Sequence, residues 1–293
     1  MDTESPDPLS PDPHPPTAVD GPTAPALEVE TLLRRLGTHR WPIVVDVRRE
    51  PAWAASPHRL PGALRCAPDA LGALAALLPP GTEVVCCCVH GHEVSRGAAQ
   101  ALRGLGLRAA ILAGGIEAWR EAGAPLRRAD ATLAIPPLGG SHWVTRERPK
   151  VDRIACPWLV RRYVDPLARF SYLPANEVAA FAAATGAIAF DLPGAAISHH
   201  GERCSFDTLL DAAGLDDPAL RSLATVVRGA DTDRLELAPQ SAGLLAVSLG
   251  LSRVHGDDDA AMLEAGMSLY DALHAWSRDA RHEAHRWQPA AAS

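Results

Sequence analysis

The sequence predicts an α/β domain, a parallel sheet flanked by helices, followed by an α-rich α+β domain. Three observations carry this. In the first half, apolar β-branched runs alternate with helix-compatible segments, the pattern of a parallel sheet covered on both faces. The second half holds only short strand-like runs and then long helical stretches. Between them, RRADATLAIPPLGGSH (127–142) concentrates proline, glycine and small residues and reads as an irregular connection. The organisation expected is a disordered proline-rich tail over 1–25, a first domain over 26–127, a linker over 128–140 and a second domain over 141–293. A chain of 293 residues suits two domains of about 100–200 residues each.

In the first domain, LEVETLLRRLG puts Leu27, Leu32, Leu33 and Leu36 on one helical face, with Gly37 as its C-cap. Ile43–Val47 reads as a buried strand, and a second short strand follows Pro61-Gly62-Ala63. Helices are expected near Asp69–Leu78 and Ser95–Gly104. LRAAILAGGIEAWREAGAPL reads as strand, glycine turn and a short helix carrying Trp119. In the second domain Trp143–Arg146, Phe170–Leu173 and Ala187–Asp191 are expected strands. Asp152–Val164 is a helix with Asp152 as N-cap and Pro166 beyond its end. Further helices are expected near Asn176–Thr185 and over Ser205–Ala213, Pro218–Val227, Pro239–Val254 and Asp259–Ser277. Leu244, Leu245, Val247, Leu249 and Leu251 are expected to cover the core.

A formal net charge of -7 argues against nonspecific nucleic-acid binding. No run approaches the roughly 20 apolar residues of a membrane span. The opening MDTESPDPLSPDPHPP has no basic or apolar region of a secretory signal. Six cysteines with three in a row do not suit a disulfide framework and fit a reducing cytoplasm.

The chemistry concentrates at Val84–Leu102, VVCCCVHGHEVSRGAAQAL. A thiol at the end of a strand, facing a helix that opens at Ser95, sits where backbone N–H groups and the helix dipole favour negative charge. Cys88 is the candidate nucleophile, and Cys86 and Cys87 are expected to face core or sheet. The loop Val89, His90, Gly91, His92, Glu93, Val94, Ser95 can cradle an anion in its amides. His90 and His92 can donate hydrogen bonds or shuttle a proton. Glu93 is expected to cap or orient a neighbour.

Asp46-Val47-Arg48, His58-x-x-Pro61-Gly62-Ala63, Cys88-x-x-Gly91, then Gly114-Gly115-Ile116-x-x-Trp119 and Pro125 occur in one order. Together, over roughly Ala26–Arg127, they resemble the rhodanese domain, the sulfurtransferase module. The resemblance implies an α/β fold, a catalytic cysteine that carries a persulfide, and no required cofactor. In thiosulfate sulfurtransferases the loop is typically C-x-x-G-x-[RK]-[ST]. Here the loop is one residue longer and holds no arginine, with Arg96 just after it, so a wider cradle for a larger anion is expected.

WVTRERPKVDRIACPWLVRRYVDP, DLPGAAISHHGERCSFDTLL, VVRGADTDR, LLAVSLGLSR and MLEAGMSLYDALHAW resemble, over roughly Ser141–Arg278, the C-terminal domain of chromate-resistance proteins of the ChrB type. This implies involvement in chromate resistance. The regulators of that type carry a DNA-binding N-terminal domain, and here a rhodanese-like one stands in its place. In this half Cys156, His199, His200 and Cys204 are candidate metal ligands, since imidazole and thiolate suit zinc and softer ions. They are expected to approach one another, with Asp191 or Asp233 orienting a ring nitrogen. The competing reading is a buried hydrogen-bond network of His199, Asp191 and Arg228. Arg153, Arg161 and Arg228 could instead line an oxyanion pocket. His282 and His285 read as part of a frayed terminal helix.

Two function classes follow. One is a chromate-resistance enzyme with a sulfurtransferase or oxyanion-handling site at Cys88, whose partner is thiosulfate, a persulfide or chromate. The other is a non-enzymatic sensor or binding protein for chromate or a metal, with a regulatory role.

Overall fold

The computed structural model describes residues 24–284; the expectations for the first 23 residues and for His285 lie outside it. The first domain runs β1 (Ala26–Leu27), α1 (Val29–Leu33), β2 (Ile43–Asp46), α2 (Glu50–Ala55), β3 (His58–Arg59) and β4 (Ala63–Arg65). It continues through α3 (Leu71–Leu77), β5 (Glu83–Cys87), α4 (Glu93–Gly104), β6 (Arg108–Leu112), α5 (Gly115–Glu121) and β7 (Arg127–Arg128). Five strands form one sheet in the order β1-β6-β5-β2-β4, parallel throughout. The chain moves one way from β2 to β4 and the other way from β5 to β6. The crevice at the carboxyl ends of β2 and β5 is therefore the switch point where α/β sheets place ligands.

Alternation along β5 sorts the cysteines. Cys86 and Cys88 pack with Val45, Leu74, Ala98 and Leu102 on the face covered by α3 and α4. Cys87 points the other way, into a core shared with Leu32, Ile116, Trp119, Trp158 and Tyr163. That second core runs without a break into the other domain.

The second domain comprises β8 (His142–Arg146), α6 (Asp152–Leu159), β9 (Arg169–Leu173), α7 (Val178–Thr185) and β10 (Ile188–Ala189), then α8 (Ser205–Ala212), α9 (Pro218–Asp231), α10 (Pro239–His255) and α11 (Asp259–Ala275). Its small parallel sheet has the order β10-β8-β9. The expected Asp152–Val164 helix is continuous, with its last turn, Val160–Val164, widened to π geometry. Its N-cap is Val151 rather than Asp152, which is the first helical residue and turns its carboxylate elsewhere.

The domains are stitched together by polar contacts as well as by core. Gly62 N donates to Tyr163 O, and Arg278 donates to Leu33 O and Leu36 O. The 128–140 connection lies against both domains, with Leu133 N bonded to Ala212 O and Arg65 N to Pro137 O.

The expectation for α10 is corrected. Leu244 is buried, but Val247 and Leu249 are each 46% exposed, and the inward stripe is Ser241, Leu244, Ser248 and Ser252. The reason is close helix packing. A Cβ on Gly229 of α9 would clash with Ser241 Oγ, and that hydroxyl donates to Val226 O. Small serines let α9 and α10 approach, which turns Val247 and Leu249 outward, while Leu245 and Leu251 stay half-buried against the core as expected.

Candidate functional site

Cys88 directly follows β5 and is buried. The loop after it is held by α5. Ile116 N donates to Cys88 O at 3.0 Å and Glu117 N to Val89 O at 3.2 Å. Gly115 has φ 63°, and a Cβ there would overlap Cys88 O and Val89 O. Gly91, at φ 71°, passes equally close to Leu112 O and Gly114 N. Only glycine allows these approaches, so the two glycines of the motif fix the loop against the helix.

Helix α4 starts at Glu93, two residues before the expected Ser95. Ser95 is therefore in its first turn, buried, with Oγ 3.2 Å from Cys88 Sγ and 3.1 Å from His92 O. Once the sulfur is ionised, the Ser95 hydroxyl can turn from His92 O to donate to it. Burial raises the Cys88 pKa, but the Ser95 hydroxyl and the amides of Ser95, His92 and Gly91 outweigh it and hold the thiol below its ordinary value. The other two thiols go the opposite way. Burial pushes Cys86 up to about 12 and Cys87 well above its ordinary value. Iodoacetamide at neutral pH is therefore expected to label Cys88 ahead of Cys86 and Cys87, read by peptide mass; equal labelling of all three would contradict the geometry.

His90 and His92 are exposed, with ring centroids 6.0 Å apart. Val89 is half-buried. Glu93 is exposed at the first helical position, and no donor among the described residues bonds to its side chain; it neither caps nor orients a neighbour, as its position points it to solvent. Below the loop, Arg48 Nη2 pairs with Asp46 Oδ2 at 2.6 Å and also donates to His58 O. Both charges are buried, so their pairing is obligatory. It ties the end of β2 to the His58 segment. Trp119 is fully buried and donates to Pro125 O at 2.8 Å.

In the second domain the expected ligand set does not assemble. Cys156 and Cys204 are fully buried, and burial raises both thiols well above their ordinary values, which disfavours the thiolate a metal needs. Cys204 Sγ donates to Asp207 Oδ2 as part of the cap of α8. His200 is exposed, and its backbone bridges to Arg203. His199 instead meets carboxylates. Its Nε2 lies 3.0 Å from Asp231 Oδ2, 3.3 Å from Asp152 Oδ2 and 3.5 Å from Asp191 Oδ1. Asp152, Asp191 and His199 present ligand atoms all within 4.8 Å of one another, and these are the residues that could hold a metal. Asp231 takes the place foreseen for Asp233.

Arg228 pairs with Asp207 rather than joining His199, and Asp191 is paired to Arg146 and Arg153. Arg161 pairs with Glu264 and Arg162 with Asp271. The arginines thought to line an oxyanion pocket are thus neutralised separately. The sequence signal for the true set was Asp152 and Asp231, each lodged in an apolar helix where a carboxylate needs a reason to be.

The cluster carries a pH signature. The hydrogen bond His199 donates to Asp152 and the surrounding carboxylates raise His199 from 6.5 to about 9, against burial. Burial and the Asp152 charge raise Asp231 from 3.8 to about 8. Both groups bind protons more tightly folded than unfolded. Stability from them is present below the unfolded pKa and is lost as pH rises through the folded one. The melting temperature is therefore expected to fall between about pH 6.5 and 9, and less steeply in His199→Gln. A flat wild-type curve, or equal slopes, would contradict the cluster.

Among the described residues no helix is long and apolar enough to cross a membrane. Residues 28–122 match the family model of the rhodanese-like domain, and residues 143–277 that of the ChrB C-terminal domain. Protein ChrB of Cupriavidus metallidurans is 38% identical over 131 residues, a match covering 44% of this chain and 39% of that protein. Similar solved structures include a rhodanese-related protein from Thermoplasma volcanium, at 24% identity and a TM-score of 0.30, covering 35% of this chain and 96% of that one. Another is a rhodanese-like domain protein from Staphylococcus aureus, at 20% identity and a TM-score of 0.29, covering 32% of this chain and 90% of that one. The chain thus joins a rhodanese-like domain at 28–122 to a ChrB C-terminal domain at 143–277.

Proposed function

We propose that this protein acts in chromate resistance and that its rhodanese-like domain is a sulfurtransferase with Cys88 as nucleophile and persulfide carrier. The observation that carries the reading is the Cys88 sulfur itself, held below its ordinary pKa by Ser95 and three loop amides while both neighbouring thiols are raised. The Cys88 thiolate attacks the outer sulfur of thiosulfate or of a small persulfide. The donor S–S bond breaks, sulfite or a thiolate leaves with the electron pair, and Cys88 keeps the sulfur as a persulfide. An acceptor thiolate or cyanide then takes that sulfur and restores the Cys88 thiolate. The amides of Gly91, His92 and Ser95 neutralise the anionic sulfur at each stage, and His90 and His92, exposed on the same loop, are available to meet an anionic donor.

The test is turnover by the full chain with thiosulfate and with a low-molecular-weight persulfide. The loop lacks an interior arginine, so transfer from the persulfide is expected to exceed that from thiosulfate. Turnover with neither donor would overturn the reading. A sensor or metal-binding role is the second reading, favoured by the converging ligand atoms of Asp152, Asp191 and His199.

A further inference from the structure

A cavity of about 210 Å³ lies where the first domain, the connection and the second domain meet. Its wall includes Arg59, Arg65, Arg127 and Arg128, with Trp53 and Asp46, and Val164 closes it from the second domain. None of its lining residues belongs to the Cys88–Ser95 loop. Arg59 and Arg127 sit directly opposite each other in the β3–β7 ladder. Like charges in that position repel.

The neighbouring carboxylates Asp46 and Glu50 relieve Arg59 only in part, because each is paired elsewhere. Asp46 is committed to Arg48, Glu50 to Arg65, and Asp130 lies 3.7 Å from Arg128. Among the described residues no carboxylate pairs with Arg59 or Arg127. Arg127 Nε donates to Ala213 O at 2.9 Å, which satisfies one donor of the guanidinium. Arg59 donates from Nη1 to Ser56 O and His58 O and stacks 4.1 Å above the Trp53 ring. Burial, then the Arg59 charge, depresses Arg127 to about 10. Two facing, half-buried arginines without a paired carboxylate cost stability, and a bound anion removes that cost.

We propose that this cavity binds a doubly charged tetrahedral oxyanion of the sulfate, phosphate and chromate class, gripped by the facing guanidiniums of Arg59 and Arg127. Two positive charges without counter-charge match a dianion, and guanidinium forks match its oxygen geometry. Trp53, Leu133 and Ile135 supply the apolar part of the wall beside the pair. The ligand contacts both the first domain and the connection, so its binding tightens their junction. The site is separate from sulfur transfer at Cys88 and does not depend on it.

Isothermal titration of the full chain with sulfate, phosphate and chromate, at ionic strength matched with sodium chloride, tests this. Saturable binding of one ion per chain is expected, with sulfate raising the melting temperature. Arg59→Gln and Arg127→Gln are each expected to weaken it about tenfold or more. Cys88→Ser is expected to bind sulfate as the wild type does. The ranking of the three anions identifies the source. Absence of saturable binding of all three, unchanged affinity in both arginine variants, or loss of binding in Cys88→Ser would each overturn the proposal. If Arg127→Gln fails to fold, Arg59→Gln, on the opposite strand and bonded to local carbonyls, decides alone.

Discussion

Replacing Cys88 by serine is expected to lower sulfur transfer about a thousandfold or more while leaving the fold intact. The alcohol fills nearly the same space beside Ser95 Oγ, so packing against Val45 and Ala98 is kept. What is lost is the nucleophile, since a hydroxyl does not ionise near neutral pH and forms no persulfide. The readout is kcat/KM with a persulfide donor, alongside a melting temperature that stays within a few degrees. Cys86→Ser and Cys87→Ser are the internal comparison. Their thiols are raised by burial and serve packing, so they should affect stability more than turnover. Full activity in Cys88→Ser would remove the assignment.

Trp158→Ala is expected to destabilise the whole chain by about 3–5 kcal/mol. Trp158 is fully buried and donates to Asp271 Oδ1 at 2.8 Å. Its ring meets Tyr163 at 5.8 Å, Tyr270 at 6.3 Å and His274 at 5.4 Å. Trp158, Tyr163 and Tyr270 belong to the core that also holds Leu32, Cys87 and Trp119 of the first domain. Removing the indole opens a cavity at the junction, so both domains should lose stability together. Urea unfolding followed separately by near-ultraviolet and far-ultraviolet circular dichroism should show one shifted transition. Two transitions, with the first domain unmoved, would contradict a shared core.

How much of this was legible in the sequence depends on what kind of signal each feature leaves. Ile43–Val47, Asp152–Val164 and Pro239–Val254 stood out as elements because apolar runs and prolines mark strands and helix starts locally, and all three are present. The side of α10 that faces inward was not legible. Apolar residues occur all round that helix, and the deciding fact is a tertiary one, the approach of Gly229 to Ser241. The start of α4 at Glu93 was not legible because its N-cap, His92, makes no side-chain cap hydrogen bond, while Ser95 is the residue type that marks helix starts.

The thiol site was readable because strand, cysteine, glycine and helix are contiguous. The carboxylate cluster was not. Asp152, Asp191, His199 and Asp231 come from three helix and loop regions spread over 80 residues of sequence, and adjacent His199 and His200 look equivalent until the ring of one is seen against three carboxylates. Attention to cysteine as a metal ligand favoured Cys156 and Cys204, whose burial suits a thiol rather than a thiolate. The facing Arg59 and Arg127 were equally hidden, because their pairing is set by an antiparallel contact between short strands far apart in the chain.

The most direct test of the central claim is the mass of the intact chain after brief exposure to a persulfide donor, with the modified peptide then located. The account predicts a gain of one sulfur atom on the peptide containing Cys88, discharged by cyanide or a small thiol and absent in Cys88→Ser. An unmodified chain, or a sulfur adduct that persists in Cys88→Ser or resides on Cys66, Cys86, Cys87, Cys156 or Cys204, would contradict it.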